Sequence, residues 1–188
     1  MGKKFILIAA FLVLLPLCAH AEGANDVPPA SAEAPADSNL AVDLGAGKTS
    51  SGLPIPRFVT LAAEKVFVRT GPALRYPIKW VYQRESLPVE IIQEFDTWRK
   101  IRDMDGDDGW VHQSLLSGDR TAIVKGEANL AIRKDAETDA RIIAWLEPNV
   151  VAGLEACRGA WCEIKADGYE GYAERKFLWG IYDSEDFD

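Results

Sequence analysis

The sequence predicts an all-β fold in which one small unit of short strands occurs twice. From Arg57 onward, short runs of β-branched and aromatic residues alternate with Gly, Pro and Asp, a pattern typical of strands joined by turns. The unit recurs with a period of about 63 residues, and similarity along its whole length indicates a tandem duplication. Turn signals at this spacing predict a small barrel or sandwich.

The first segment has the layout of a secretory signal peptide. Two lysines precede an apolar run over residues 5–17, and small side chains suit cleavage between Ala21 and Glu22. The run is shorter than the roughly 20 residues that a membrane-spanning helix needs. We therefore expect residues 1–21 to be removed, leaving a periplasmic or secreted protein that does not insert into a membrane.

Residues 22–56 are rich in Ala, Pro, Ser, Gly and Asp and contain no aromatic residue. Such a segment buries too little apolar surface to offset its ordering entropy, so we predict a disordered linker. The repeats are placed at 57–119 and 120–182. The acidic residues 183–188 are predicted to form a solubilising tail rather than a metal site.

Equivalent residues mark the duplication along its whole length. Arg69 matches Arg133, Trp98 matches Trp161, Ile101 matches Ile164, Gly109 matches Gly171, and Leu116 matches Leu178. The strands predicted in the first unit are 58–61, 66–69, 78–82, 87–94, 98–103 and 109–112. The dipeptides Asp105-Gly106 and Asp167-Gly168 predict hairpin turns.

The net charge excludes some classes of binding partner, and the cysteine content indicates the cellular compartment. Loss of residues 1–21 removes two lysines and no acidic residue, which takes the formal charge from −8 to −10. A chain this acidic has no electrostatic reason to bind nucleic acid or anionic lipid. The same cleavage removes Cys18 and leaves Cys157 and Cys162 as an even pair in an oxidising compartment.

Three segments, VFVRTGPALRYPI, TWRKIR and DGWVHQSLL, together resemble the bacterial SH3-like domain. The second unit resembles a diverged copy, and the resemblance covers residues 57–182. It implies a compact five-stranded barrel per repeat. It also implies a binding or scaffolding role in the cell envelope, where such domains recognise peptidoglycan peptides or other proteins.

The resemblance also implies where a ligand would bind. Ligand-binding SH3 barrels carry an aromatic residue on the strand after the loop that corresponds to residues 94–97. Trp98 precedes Ile101 by three positions, so strand alternation puts their side chains on opposite faces and predicts an outward Trp98. The candidate ligand-binding residues are Tyr76, Trp80, Tyr82, Trp98, Trp110 and His112. Alternatively, Trp98, Trp161 or both pack between the repeats.

The second wall of that groove departs from the proline-binding pattern. Eukaryotic SH3 domains carry a proline there and a tyrosine three residues on. This chain has His112 with Leu115, and Glu174 with Phe177. Recognition of a polyproline helix is therefore not expected.

Few residues suit catalysis or metal binding. The acidic loop 103–109 fails the EF-hand pattern, because Asp108 stands where a glycine is needed and Ser114 where a glutamate is needed. After cleavage His112 is the only histidine, and Cys157 would need a histidine base nearby to act as a nucleophile. We therefore predict no enzymatic activity, no cofactor and no metal.

The predicted function is a binding module for a cell-wall peptide or an envelope protein. Two alternatives stay open: a structural protein whose aromatic faces are buried between the repeats, and a cell-wall hydrolase.

For the stretch CRGAWC, the duplication aligns Cys157 and Cys162 with Glu94 and Arg99. If the two central residues of each stretch form the turn, the two members of each pair lie opposite each other on neighbouring strands. This predicts a disulfide in the hairpin of repeat 2 and an exposed ion pair in the hairpin of repeat 1.

Overall fold

The computed structural model describes residues 49–188. The predicted signal peptide, its cleavage site between Ala21 and Glu22, and the predicted linker up to residue 48 lie outside the described residues. Within residues 49–188, no helix has the length and apolar character required to cross a membrane.

The described chain forms two antiparallel sheets, one for each repeat. The first contains β1 (Arg57–Leu61), β2 (Val66–Arg69), β3 (Ile78–Tyr82), β4 (Pro88–Phe95), β5 (Trp98–Arg102), β6 (Asp108–His112) and β7 (Leu116–Ser117). The second contains β8 (Thr121–Val124), β9 (Leu130–Arg133), β10 (Ile142–Leu146), β11 (Val151–Arg158), β12 (Trp161–Ala166), β13 (Tyr169–Glu174) and β14 (Leu178–Trp179). Short 3-10 turns at Gln113–Leu115 and Arg175–Phe177 precede β7 and β14.

The two sheets repeat one strand order, which confirms the predicted all-β tandem architecture. The orders are β3-β2-β6-β5-β4-β1-β7 and β10-β9-β13-β12-β11-β8-β14. Each predicted strand of repeat 1 agrees with the observed one to within a residue at either end. There are seven strands instead of the implied five, because β1 and the two-residue β7 add to the outer side of β4.

Alternation along the strands sorts side chains between core and surface. In β2, Val66 and Val68 are fully buried, whereas Phe67 between them is 37% exposed. Leu130 and Ile132 occupy the same inward positions in β9. Burial of each such side chain contributes about 2 kcal/mol, which makes these inward rows the main stabilising feature of each repeat.

Both predicted hairpin turns are present. Asp167 and Gly168 have φ values of +50° and +83°, and they connect β12 to β13 as a two-residue turn. The turn at Asp105-Gly106 is longer, because the Asp103 carboxylate accepts hydrogen bonds from the backbone N–H groups of Asp105 and Asp107. The Asp103 side chain thus organises the acidic loop. Residues 49–188 hold no cluster of three potential metal-binding His, Cys, Asp or Glu side chains.

The repeats contact each other through β1 and β4 of the first and through β8, β14 and the residues after β14 of the second. The Phe58 ring lies 5.1 Å from that of Trp179 and 4.7 Å from that of Tyr182. The Tyr182 hydroxyl donates to Glu90 at 2.7 Å, and the Thr60 and Thr121 hydroxyls lie 2.9 Å apart. Aromatic contact between the repeats therefore exists, and these residues make it rather than Trp98 or Trp161.

Both ends of the described chain are bound to a repeat. The predicted linker extended to Pro56, yet Ser51 donates its backbone N–H to the Glu94 carboxylate at 2.9 Å. The predicted solubilising tail, residues 183–188, lies against repeat 2, where Phe187 and Cys157 exchange two backbone hydrogen bonds. Phe187 packs against the core while Asp183, Ser184, Asp186 and Asp188 are exposed, so the segment is held against the domain and its solubilising role stays a prediction.

Candidate functional site

A loop between β2 and β3, residues 70–77, forms one wall of the candidate site. Arg69 holds it from the end of β2, since one guanidinium nitrogen donates to the carbonyls of Leu74 and Tyr76 at 3.1 and 2.9 Å. Gly71 lies under the Tyr76 ring, where an added Cβ would approach ring atoms to 2.7 Å. The loop therefore needs glycine at this position to keep its shape.

The groove lies between this loop and the ends of β5 and β6. It is lined by Ala73, Leu74, Arg75, Thr97, Trp98 and His112. Trp98 and His112 are cross-strand neighbours in β5 and β6, and their rings meet edge to face with centroids 5.6 Å apart. The pair provides an aromatic surface, and Leu74, 75% exposed, stands at its rim.

Charge and hydrogen bonding give the groove a polar side. The Arg75 guanidinium lies 5.1 Å from the Tyr76 ring centroid, which places a cation beside the apolar surface. The Nδ1 atom of His112 is engaged by the Ser114 hydroxyl at 2.8 Å, so Nε2 is the ring nitrogen open to a ligand. The site combines apolar contact with donors suited to a carboxylate.

Trp98 differs from the prediction in its exposure. It does lie outside the barrel core that contains Ile101, as alternation requires. The predicted face is therefore correct, but the expected exposure is wrong, because only 8% of the side chain is exposed. Loop residues 73–75 and the His112 ring flank the indole, which leaves a narrow face open to the groove.

The structure brings two of the six candidate residues into the groove, Trp98 and His112. Trp80 and Tyr82 pack against the core of repeat 1, and the Tyr82 hydroxyl donates to Asp103 at 2.7 Å. Tyr76 supports the loop from within, and Trp110 lies half-buried on β6 between β2 and β5. A ligand-binding role for these residues stays a prediction.

Sequence reasoning missed four residues of the groove: Ala73, Leu74, Arg75 and Thr97. The signal that could have found them is the aliphatic Leu74 in the middle of a Gly-Pro loop, where a solvated turn would carry polar residues. It also missed Phe58, Trp179 and Tyr182 as the aromatic contact between the repeats. Their partners are far apart in sequence, so no local pattern indicates the contact.

Comparison with known protein families now identifies the fold. A family model described as the bacterial SH3 domain matches residues 62–118 and 126–180, one match for each repeat. The chain belongs to the bacterial SH3 domain family. The matches confirm the two tandem copies that the sequence resemblance implied.

Two solved structures show limited similarity to this chain. NlpC2 from Trichomonas vaginalis is 15% identical with a TM-score of 0.32, over 70% of this chain and 51% of that one. NlpC1 from the same organism is 17% identical with a TM-score of 0.30, over 65% of this chain and 45% of that one. This chain spans about half the length of these proteins. No curated protein matches the sequence.

The β4–β5 hairpin of the first SH3 repeat is closed by a buried ion pair. Glu94 and Arg99 are register partners, with Arg99 Nε 3.3 Å from Glu94 Oε1. Arg57 reaches the same carboxylate at 2.6 Å, and the Glu94 side chain is 1% exposed. The predicted pairing is present, but the expectation of an exposed pair is wrong because residues 49–57 cover it.

The ionisation of Glu94 follows from these contacts. Burial opposes the charged form, but hydrogen bonds from Ser51 and Arg57 outweigh it and lower the pKa of Glu94 to about 2. The carboxylate is therefore ionised at neutral pH and serves as the anionic centre on which the hairpin and residues 49–57 converge.

The corresponding hairpin of the second SH3 repeat is closed by the predicted disulfide. Cys157 and Cys162 are register partners on β11 and β12, and their sulfur atoms are bonded. The turn residues Gly159 and Ala160 match Asp96 and Thr97 of repeat 1. A disulfide in a bacterial SH3 domain fits an envelope or extracellular protein.

The second SH3 repeat has a smaller cavity beside Trp161, the residue equivalent to Trp98. Trp161 and Tyr172 line it together with Ala136 of the loop after β9. Arg158 at its rim forms a bidentate contact to the Asp188 carboxylate, with nitrogen–oxygen distances of 2.7 Å. The rim cation of repeat 2 is therefore engaged by the chain itself, whereas Arg75 of repeat 1 lies against Tyr76.

Proposed function

We propose that the protein is a cell-envelope binding module whose first SH3 repeat binds a short cell-wall peptide. Family membership supports a binding role, and the observation that carries the site is the groove of Trp98 and His112 beneath the loop 73–75. The protein acts in the periplasm or outside the cell after loss of residues 1–21.

The chemistry of the groove suits such a peptide. Cell-wall peptides combine short aliphatic side chains with free carboxylates. Leu74 and the indole of Trp98 offer apolar contact of a matching size, and the guanidinium of Arg75 can receive a carboxylate through two parallel hydrogen bonds. His112 Nε2 supplies one further polar contact.

Binding without catalysis is part of the proposal. Both matched segments are SH3 domains, which are binding domains. The disulfide consumes the two cysteine thiols of the described residues, and the Nδ1 atom of His112 caps the 3-10 turn after β6 by accepting the backbone N–H of Ser114. The proposed activity is therefore recognition of the wall rather than its cleavage.

Purified sacculi provide the test. The chain from Glu22 onward is incubated with sacculi, bound protein is measured by sedimentation, and soluble wall fragments are measured in the supernatant. We expect binding without fragment release, weakened about tenfold by Trp98→Ala and by Arg75→Ala. Unchanged binding of both variants would refute the groove assignment, and release of fragments would indicate a hydrolase instead.

Matched variants separate loss of the site from loss of the fold. Trp145 is 58% exposed on β10 of the other repeat, so Trp145→Ala removes an equally large indole outside the groove and should bind normally. Leu74→Ser alters the rim at a position 75% exposed and should weaken binding while leaving the circular dichroism spectrum unchanged. Reduced binding of Trp145→Ala alone would move the site to repeat 2.

A structural role is the second candidate, favoured by the aromatic contact of Phe58 with Trp179 and Tyr182 between the repeats. In that case the pair of repeats acts as a rigid spacer. Absence of sacculus binding, together with cooperative unfolding of the two repeats as one unit, would support this function over peptide recognition.

A further inference from the structure

Residues 185–188 lie at the edge of the disulfide hairpin in the second SH3 repeat, where Phe187 forms a β-bridge with Cys157. Cys157 donates its backbone N–H to the Phe187 carbonyl at 2.9 Å, and Phe187 donates to the Cys157 carbonyl at 3.1 Å. The Phe187 side chain packs against the core cluster of repeat 2. Backbone pairing plus one apolar anchor is the way in which extended peptides bind an open sheet edge.

Three arginines of repeat 2 receive the acidic side chains on either side of Phe187. Arg120 pairs with Glu185, Arg175 contacts Asp186 at 2.6 Å, and Arg158 contacts Asp188 at 2.7 Å. Arg120 also lies over the Phe187 ring, 4.9 Å from its centroid. Each acidic residue of the segment thus meets its own cation.

Two of the three arginines, Arg120 and Arg175, are largely buried, whereas Arg158 is 76% exposed. Arg175 is only 4% exposed, and its other guanidinium nitrogen donates to the backbone carbonyls of Tyr182 and Asp183. Among the described residues, the Nε atoms of Arg120 and Arg175 are buried without a hydrogen-bond partner. Buried cationic donors of this kind are costly unless an anion neutralises them.

The first SH3 repeat uses the equivalent position in a different way. Glu94, the counterpart of Cys157, is bound by the side chain and backbone of Ser51 from the segment before β1. In each repeat, then, a segment from outside the duplicated unit binds the long strand where β1 or β8 has ceased to pair with it. In repeat 1 a single arginine, Arg57, contacts that segment through the Pro54 carbonyl and the Ser51 hydroxyl, whereas in repeat 2 three arginines pair with its acidic side chains.

We propose that this edge of repeat 2 is a strand-addition site for acidic peptides with an aromatic residue between two carboxylates, and that residues 185–188 occupy it in cis. The partner that fits is a protein segment of the pattern acid-aromatic-acid in an extended conformation. Three arginines exclude basic segments, and the pocket that holds the Phe187 ring requires an apolar side chain at the centre. The segment of the chain itself then blocks the site until a partner competes for it.

Deletion of residues 185–188 tests the proposal. A fluorescein-labelled peptide of sequence SEDFD is titrated into the deletion variant and into the full chain, and binding is followed by fluorescence anisotropy. We expect saturable binding to the deletion variant and at least about tenfold weaker binding to the full chain, where the tethered segment competes at a high effective concentration. Equal affinities, or no binding to the folded deletion variant, would overturn the proposal.

Peptide and protein variants assign the contacts. The peptide SEDAD, which lacks the aromatic side chain, should bind at least about tenfold more weakly. Arg158→Ala changes a side chain that is 76% exposed and should weaken SEDFD severalfold without affecting the fold. The charge-matched control Lys165→Ala, on the other side of the hairpin, should leave the affinity unchanged.

A measurement on the full chain covers the case in which the deletion variant does not fold. Excess unlabelled SEDFD is added to the isotope-labelled full chain, and the amide resonances of Cys157 and Phe187 are recorded. Displacement of the bound segment should shift both resonances, and their constancy at saturating peptide would overturn the proposal. A dimer that forms through residues 185–188 at high concentration would also overturn it, in favour of exchange between two copies.

Discussion

Glu94 lies directly across from Arg99 where β4 turns into β5, and the carboxylate of this pair also receives Arg57 and Ser51. The second SH3 repeat places a disulfide at the same register. Two hairpins of common origin are thus closed by different means, one electrostatic and dependent on residues outside the unit, the other covalent and contained within the unit.

The substitution Glu94→Gln should destabilise the protein. It leaves the guanidinium groups of Arg57 and Arg99 with no anion in a site where the carboxylate is 1% exposed. We expect a loss of about 2 to 4 kcal/mol in the free energy of unfolding, measured with urea. The control Glu170→Gln removes an exposed partner of Lys165 and should change stability by less than about 0.5 kcal/mol. Similar losses in both variants would contradict the buried cluster.

Acid should weaken the protein through the same carboxylate. The pKa of Glu94 is about 2 in the folded protein against an ordinary value of 4.5, so its contribution is fully present above pH 4.5 and disappears as the pH falls toward 2. We expect the stability difference between the native protein and Glu94→Gln to narrow across this range in urea titrations at stepped pH. A stability difference that stays constant across this pH range would show that the charge of Glu94 does not cause the loss of stability in acid.

Loss of the disulfide should have a moderate effect. The bond closes a short hairpin loop, so the chain-entropy contribution is about 2 kcal/mol. The double variant Cys157→Ala/Cys162→Ala should therefore lose about this amount, and reduction of the native protein should lower its urea midpoint by a similar extent. In the chain from Glu22 onward, a thiol assay should detect no thiol before reduction and two after reduction and unfolding. Two thiols in the untreated protein would refute the pairing.

The hydrogen bond from Tyr182 to Glu90 couples the repeats and should respond to alkali. Burial, followed by the bond to the Glu90 carboxylate, raises the pKa of Tyr182 above its ordinary value of 10. The stabilisation that the protonated Tyr182 hydroxyl provides is fully present below pH 10 and is lost as the pH rises above 10. Tyr182→Phe should cost about 1 to 2 kcal/mol at neutral pH and flatten the alkaline loss in urea titrations. Tyr169→Phe, at a side chain 51% exposed, serves as the control and should change neither.

Local sequence patterns were sufficient to predict the strands and the register of the hairpins. Val66 and Val68 alternate with an exposed Phe67, and this pattern placed β2 without error. The duplication aligned Cys157 with Glu94, so one repeat served as a reference for the other and both cross-strand pairs followed. These features depend on residues close in sequence or on internal comparison.

Features made by distant segments could not be predicted in this way. Alternation assigned Trp98 to the face opposite Ile101, but it carries no information about the loop and the imidazole that flank the indole. The acidic composition of residues 183–188 did not indicate that the segment docks on the domain, because nothing local shows that arginines of repeat 2 pair with three of its four acidic side chains. In both cases the structure differs from the expectation because of tertiary contacts, which local sequence propensity does not encode.

The binding of residues 50 and 51 to the β4–β5 hairpin has a mechanical consequence. Ser50 donates to the Asp96 carbonyl and to Glu94, and the next residues of that turn, Thr97 and Trp98, line the groove. The segment before β1 and one wall of the groove are thus attached to the same turn, so a displacement of residues 50 and 51 would be transmitted to Thr97 before it reached β1.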